Sequence, residues 1–179
     1  MTADTVTRLG NLPAEPNSFV GRERDLSDLE LLLSNVRALT LCGPGGIGKT
    51  RLAIRLGWQL ATEFPDGAWL VELADTADPS LAARQVATVL RIGEEPDRPA
   101  SATLVDALRG RKLLLILDTC EHIIDAIADL VRDLIAGCPM IRIIATSREP
   151  LRVRGETVWR VPPLSLPAPA GETDRKSVV

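Results

Sequence analysis

The segment Gly43-Pro44-Gly45-Gly46-Ile47-Gly48-Lys49-Thr50 carries residue types that together can bind a polyphosphate. It fits G-x-x-x-x-G-K-[ST], the pattern of a phosphate-binding P-loop. Its glycines let backbone N–H groups turn inward around phosphate oxygens. Lys49 offers a positive charge to the β- and γ-phosphates, and the Thr50 hydroxyl is a suitable ligand for Mg²⁺. We therefore predict a nucleotide site that runs from Gly43 to Arg51.

The residues on either side of this segment supply the context that the motif needs. Ala38–Cys42 is an apolar run typical of a buried strand, and residues 51–56 follow a helical pattern. The order strand, loop, helix directs the positive end of the helix dipole at the bound phosphates. A glycine-rich surface turn is the alternative, and it would not require this order.

A carboxylate follows a second buried strand. Lys112 precedes the apolar run Leu113–Leu117, and Asp118 ends it. This is the Walker B pattern, which holds Mg²⁺ directly or through water. An Asp that caps the next helix is the alternative. The sequence therefore predicts Thr50 and Asp118 as metal ligands.

ATP hydrolysis also needs a group that positions or activates water. Thr119, rather than a second acid, follows Asp118, so Glu121 is the nearest carboxylate that could reach the γ-phosphate. Glu121 could equally be a first-turn glutamate that favours the helix dipole. We expect the single histidine, His122, to pack or to cap a helix rather than to act in catalysis.

An arginine follows a further strand. Thr146, Ser147 and Arg148 come directly after the apolar strand at residues 141–145. An arginine here can reach a γ-phosphate and distinguish ATP from ADP. An exposed loop arginine is the alternative. The predicted catalytic residues are therefore Lys49, Glu121 and Arg148.

Helical patterns alternate with apolar strands along the chain. We predict strands at 38–42, 68–73, 113–117, 141–145 and 157–161, and helices at 26–36, 49–63, 79–91, 102–109 and 122–136. Continuously apolar strands are typical of a parallel sheet covered on both faces. We therefore predict an α/β fold of the P-loop NTPase type, with three α/β/α layers and a mainly parallel sheet. Cys42, Asp118 and Thr146 would meet at the carboxyl ends of the strands, where ligands of such sheets bind.

The composition excludes some classes of function. The 179 residues, 45% apolar and 25% charged, suit one globular domain. With 3% aromatic residues, no Tyr and a net charge of −3, we expect no direct nucleic-acid binding by this segment. We also expect no membrane association, because no apolar signal region or membrane-length run is present. The three cysteines lack paired spacing, which is typical of buried thiols in a reducing cytoplasm.

Five motifs in order resemble the nucleotide-binding domain of bacterial STAND ATPases, in the NB-ARC-like group. They are FVGRE at 19–23, the P-loop, LLLILDTCEHI at 113–123, ATSREPL at 145–151 and VWRVPPL at 158–164. The similarity covers residues 11–167 and extends to actinobacterial transcriptional regulators of the LuxR and AfsR type.

The resemblance implies specific roles. Val20 and Arg22 match the segment that packs against adenine, Asp118 matches the Mg²⁺ carboxylate, and Arg148 matches the sensor arginine. It implies ATP or ADP with Mg²⁺ as ligands, and self-association that depends on nucleotide. It also implies that the strand before Arg148 lies between the P-loop strand and the Asp118 strand.

The chain also departs from the family pattern. Many relatives carry two adjacent acids at Walker B, whereas this chain has Asp118 alone. The helical and winged-helix subdomains, repeats and helix-turn-helix domain are absent from this sequence, so DNA contact would belong to that missing domain. We expect a leader over 1–18, a nucleotide-binding domain over 19–166, and a Pro-rich linker with an artefactual tail over 167–179. The sequence would then be an amino-terminal fragment of a longer protein.

Three functions follow from these observations. The first is an ATP-binding, slowly hydrolysing switch module of a signal-transducing transcriptional regulator. The second is a non-hydrolysing interaction module stabilised by its nucleotide, which the single acid at Walker B favours. The third is a small phosphotransferase, which usually needs an Arg-rich lid, whereas the loop at residues 93–101 contains only Arg98.

Overall fold

The computed structural model of the protein describes residues 9–14 and 21–163. Its centre is a five-stranded sheet with the strand order β2-β3-β4-β1-β5. The strands are β1 Ala38–Cys42, β2 Ala68–Glu72, β3 Leu114–Asp118, β4 Arg142–Ser147 and β5 Glu156–Arg160. Every neighbouring pair of strands is parallel. The predicted α/β fold with a parallel sheet is confirmed.

Within the described residues, five α-helices connect and cover the strands. They are α1 Glu23–Asn35, α2 Lys49–Leu60, α3 Ala82–Val89, α4 Ala100–Leu108 and α5 Ile124–Gly137. Short 3₁₀ turns at Ala61–Glu63, Pro79–Leu81 and Glu121–Ile123 flank α2, α3 and α5. In the described part of the chain, no helix is both long enough and apolar enough to span a membrane.

The two faces of the sheet pack into separate cores. Leu39, Leu41 and Ile116 pack with α1 and α2 on one face, whereas Leu115 and Ile143 pack with α3, α4 and α5 on the other. Strands β1 and β3 are buried along their whole length. Burial on both faces explains why these strands are largely apolar in sequence, with Thr40 as a buried polar residue within β1.

The strand order brings the chemical motifs to one edge of the sheet. Strand β4 lies between β3, which ends in Asp118, and β1, which leads into the P-loop. The expected position of the strand that precedes Arg148 is therefore confirmed. Helix α1 begins at Glu23, earlier than the apolar pattern predicts, because its first turn carries the acidic residues Glu23 and Asp25.

The described residues of the expected leader lie against β2. Gly10 forms a parallel bridge with Ala68. The Asn11 side chain donates to the Leu70 carbonyl at 2.8 Å and accepts the Leu70 N–H at 2.6 Å. The side-chain amide thereby completes the hydrogen bonds of an edge strand. Val20 and residues 164–179, including the predicted tail, lie outside the described residues.

Candidate functional site

The loop at residues 43–48 connects β1 to α2. Gly46 and Gly48 adopt φ angles of +78° and +94°, in the left-handed region where a side chain is strained. Gly48 also occupies the N-cap position of α2, and its carbonyl accepts the Leu52 N–H at 3.0 Å. The first N–H groups of α2 have no partners within the helix, so this end of α2 can bind an anion.

The Lys49 ammonium lies over this loop. Its side chain is only 8% exposed, and Nζ donates to the carbonyl oxygens of Gly43 at 2.9 Å and Pro44 at 3.2 Å. Both acceptors are neutral, so the positive charge stays available to an anionic ligand. Of the remaining predicted site residues, Ile47 is half-buried in the loop and Arg51 is exposed in the first turn of α2.

Asp118 is the centre of a hydroxyl network. Its Oδ1 atom accepts hydrogen bonds from Thr50 Oγ1 and from Thr146 Oγ1, each at 2.6 Å. Its Oδ2 atom accepts one from Thr119 Oγ1 at 3.1 Å. The carboxylate is 7% exposed and belongs to β3, so it does not cap the following helix, whose N-cap is Ile123.

The donor set at this point suits a magnesium ion. The Thr50 hydroxyl and the Asp118 carboxylate are hard oxygen donors that already meet beside the P-loop. Mg²⁺ typically uses one or two such protein ligands together with substrate phosphates. Among the described residues, no group of three or more His, Cys, Asp or Glu side chains could form a metal site without a ligand. The residues present therefore fit Mg²⁺ that enters with a phosphate.

Arg148 and Glu121 form an ion pair next to this network. Arg148 Nε lies 3.2 Å from Glu121 Oε1. The arginine is 68% exposed, and a Cβ atom added to Gly45 would lie 3.5 Å from its Nη2 atom. The sequence proposed these residues separately, and the structure brings them together above the P-loop. The second carboxylate oxygen of Glu121 is buried and has no hydrogen-bond partner among the described residues.

Arg22 is buried behind the P-loop. Its guanidinium donates to the Ile47 carbonyl at 3.1 Å, to the Pro162 carbonyl at 3.0 Å and to the Asp25 carboxylate at 3.1 Å. One side chain thus joins the start of α1, the P-loop and the segment that follows β5. This position beside the loop is compatible with the expected nearness to a nucleotide.

His122 and the cysteines have structural surroundings. His122 Nε2 lies 3.1 Å from the Thr76 carbonyl oxygen, as expected for a packing role. Cys42, Cys120 and Cys138 are free and buried, and burial is the main cause that raises the pKa of each thiol. Thiols of raised pKa are poor nucleophiles. Burial and raised pKa values therefore argue against a nucleophilic role for the three thiols.

The sequence interpretation placed Thr146 with Asp118 at the carboxyl ends of the strands, but it gave neither Thr146 nor Thr119 a hydrogen bond to Asp118. It treated Thr119 only as the residue in place of an acid. Their contacts with Asp118 depend on the pairing of β3 with β4. The available signal was a hydroxyl at the carboxyl end of a strand predicted to lie beside the Asp118 strand.

Sequence comparisons identify relatives but no matching family model. An uncharacterised protein of Mycobacterium bovis is 43% identical over 149 residues, which are 83% of this chain and 38% of that protein. A protein of Mycobacterium tuberculosis named as an HTH-type transcriptional regulator is 41% identical, over 84% of this chain and 17% of that protein. The regulatory protein AfsR of Streptomyces coelicolor is 32% identical, over 82% of this chain and 16% of that protein.

Solved structures share the fold at low sequence identity. A STAND protein of Pyrococcus horikoshii with a tetratricopeptide repeat sensor has a TM-score of 0.55 and 22% identity, over 80% of this chain and 23% of that chain. The Cdc6 protein of Pyrobaculum aerophilum has a TM-score of 0.54 and 22% identity, over 76% of this chain and 41% of that chain. The protein has the fold of the P-loop NTPases, and it matches a minor part of longer proteins that include HTH-type and AfsR regulators.

Proposed function

We propose that this chain is the ATP-binding switch module of a signal-transducing transcriptional regulator of the STAND class. The observation that carries the proposal is the 2.6 Å contact between Thr50 and Asp118 beside a P-loop that holds the Lys49 ammonium. A phosphate cradle, a cation and two hard oxygen donors are the parts that bind a nucleotide with Mg²⁺. The relatives that regulate transcription supply the context of the longer protein.

Each part of the site has a role in this proposal. The loop at residues 43–48 and the first turn of α2, including Arg51, would surround the phosphates. Lys49 would exchange its loop carbonyls for phosphate oxygens, and charge-assisted bonds to phosphate are stronger than those to neutral carbonyls. Thr50 and Asp118 would hold Mg²⁺, which neutralises phosphate charge when it is bound.

Arg148 would distinguish ATP from ADP. It is exposed above the P-loop and held mainly by Glu121, so a γ-phosphate could compete for its guanidinium. A ligand shifts a conformational equilibrium only by its differential contacts with the two states. Such a differential contact would arise if Arg148 left Glu121 and bound the γ-phosphate. Slow hydrolysis of ATP would then reset the switch.

A non-hydrolysing interaction module is the second candidate. Thr119 donates to Asp118 from the position where a second acid could stand, and Glu121 is engaged with Arg148. In this second function the nucleotide would be purely structural. DNA contact, nucleotide-dependent self-association and a cytoplasmic location belong to the proposal for the longer protein, as does the division into a leader, a domain at 19–166 and a tail.

Nucleotide titration of the Lys49→Ala variant tests the proposal. Loss of a cation that contacts phosphate removes roughly 3 kcal/mol, which corresponds to roughly a 100-fold weaker affinity for ATP. Lys112→Ala is the matched control, because Lys112 precedes β3 at the opposite end of the strand from Asp118. Equal ATP affinity in Lys49→Ala and the parent protein would refute the site assignment.

A further inference from the structure

Thr146 contacts three consecutive residues at the exit of the neighbouring strand. Its hydroxyl donates to Asp118 Oδ1 at 2.6 Å and accepts the Thr119 N–H at 2.9 Å. Its backbone carbonyl accepts the Cys120 N–H at 3.0 Å. Thr146 is only 1% exposed, so water cannot replace these bonds. The residue therefore fixes both the carboxylate and the backbone that follows it.

The backbone at Thr119 has a conformation that its surroundings must hold in place. Thr119 has a φ angle of +64°, which is unfavourable for a β-branched residue. A strained conformation of this kind persists only where its surroundings impose it. The bond from the Thr119 N–H to Thr146 is one such constraint. In this conformation Thr119 Oγ1 can reach Asp118 Oδ2, so Thr146 acts on both carboxylate oxygens.

We propose that Thr146 is a positioning residue for the Mg²⁺-binding carboxylate. Its hydroxyl holds Asp118 in the orientation that faces Thr50, and it holds the turn that leads to Glu121. This inference rests on the proposed function. A residue that orients a metal ligand typically changes metal affinity 10- to 100-fold when it is lost. The effect of Thr146 should therefore appear in the Mg²⁺-dependent part of nucleotide binding.

The test compares binding of a fluorescent ADP analogue with and without Mg²⁺. Thr146→Val keeps the shape of the side chain and removes its hydroxyl. We expect the gain in affinity from Mg²⁺ to shrink roughly tenfold in this variant, whereas affinity in EDTA stays near that of the parent. A role only in stability would weaken binding equally in both conditions. We call the factor by which Mg²⁺ increases this affinity the Mg²⁺ gain. An equal Mg²⁺ gain in Thr146→Val and in the parent protein would overturn the inference.

Two further variants distinguish the loss of the Thr146 hydroxyl from a general disturbance of core packing. Thr146→Ser restores the hydroxyl, and we expect it to restore most of the Mg²⁺ gain. Thr40→Val is the matched control, because Thr40 pairs with the β4 residue before Thr146 and its buried hydroxyl has no hydrogen-bond partner among the described residues. We expect an unchanged Mg²⁺ gain in this control, and a reduced one would overturn the inference.

A third variant covers the case in which Thr146→Val does not fold. Thr146→Ala removes the same hydroxyl without placing a methyl group against Asp118, and it should lower the Mg²⁺ gain by the same factor of roughly ten. An unchanged gain in Thr146→Ala would then overturn the inference. A parent protein that binds the ADP analogue in neither condition would refute the proposed function itself, and the inference with it. The two failures therefore produce different results.

Discussion

Arg148 and Glu121, which the sequence proposed as independent catalytic residues, are bonded to each other, with Nε and Oε1 3.2 Å apart. Glu121 is largely buried and Arg148 is largely exposed, so only the arginine can swing toward a ligand without breaking the packing. Because Glu121 Oε2 has no partner among the described residues, release of Arg148 would leave a carboxylate free to accept a proton from water. In the proposed function, this pair would link the arginine that senses the γ-phosphate to the glutamate that activates water.

Glu121→Gln should reduce ATP turnover without weakening ADP binding. Loss of a general base typically lowers a rate 10²- to 10⁴-fold, so we expect phosphate release to fall by roughly 100-fold. The amide keeps the size of the side chain and a carbonyl oxygen for Arg148. Phosphate release under single-turnover conditions measures the effect.

Two results would contradict this role of Glu121. Equal phosphate release by the parent and by Glu121→Gln would remove the residue from catalysis. Absence of turnover in both proteins, with ATP bound, would favour the non-hydrolysing module.

Arg148→Ala should reduce the discrimination between ATP and ADP. We expect the affinity for a non-hydrolysable ATP analogue to fall about tenfold, because one charge-assisted bond to phosphate is lost, whereas ADP affinity stays the same. Calorimetric titration with both nucleotides gives the ratio. Arg152→Ala is the matched control, since Arg152 is an exposed arginine of the same loop that pairs with Glu149. A parallel loss for ADP would refute a sensor role.

Asn11→Ala should destabilise the fold although Asn11 lies in the expected leader. The variant leaves the Leu70 N–H and carbonyl without their side-chain partners, so we expect a loss of about 1–3 kcal/mol in the free energy of unfolding. Urea unfolding measures this change. Asn35→Ala is the control, because its exposed amide donates to the Leu31 carbonyl and the Ser34 hydroxyl of the same helix. Equal stability of the two variants would show that residues 9–14 do not support β2.

The sequence predicted the strands well because their burial determined the pattern of apolar residues. Strand β3 is apolar at each position before Asp118, and β1 is apolar at each position except Thr40; each strand lies within one residue of its predicted range. The P-loop was equally clear, since its glycines, Lys49 and Thr50 occupy fixed spacings. These features depend on local sequence and on the two-sided burial of parallel strands.

The contacts between motifs were not predictable from spacing alone. The Thr146 hydroxyl reaches Asp118 because β3 and β4 pair in one register, and a shift of one residue would turn it to the other face. Arg22 reaches Pro162 across 140 positions of sequence. The resemblance placed Arg22 near a nucleotide, but its bonds to backbone carbonyls required the folded structure.

The Arg22 guanidinium also connects the P-loop to the residues directly after β5. Its Nη2 atom is shared between the Ile47 carbonyl of the P-loop and the Pro162 carbonyl, just after the last strand. If the loop shifts as it closes around a phosphate, Nη2 must move with Ile47, stay with Pro162, or lengthen one of these two hydrogen bonds. The described residues that follow β5 are thus tied through one guanidinium to the backbone of the P-loop, so that a shift of Ile47 would act on Pro162.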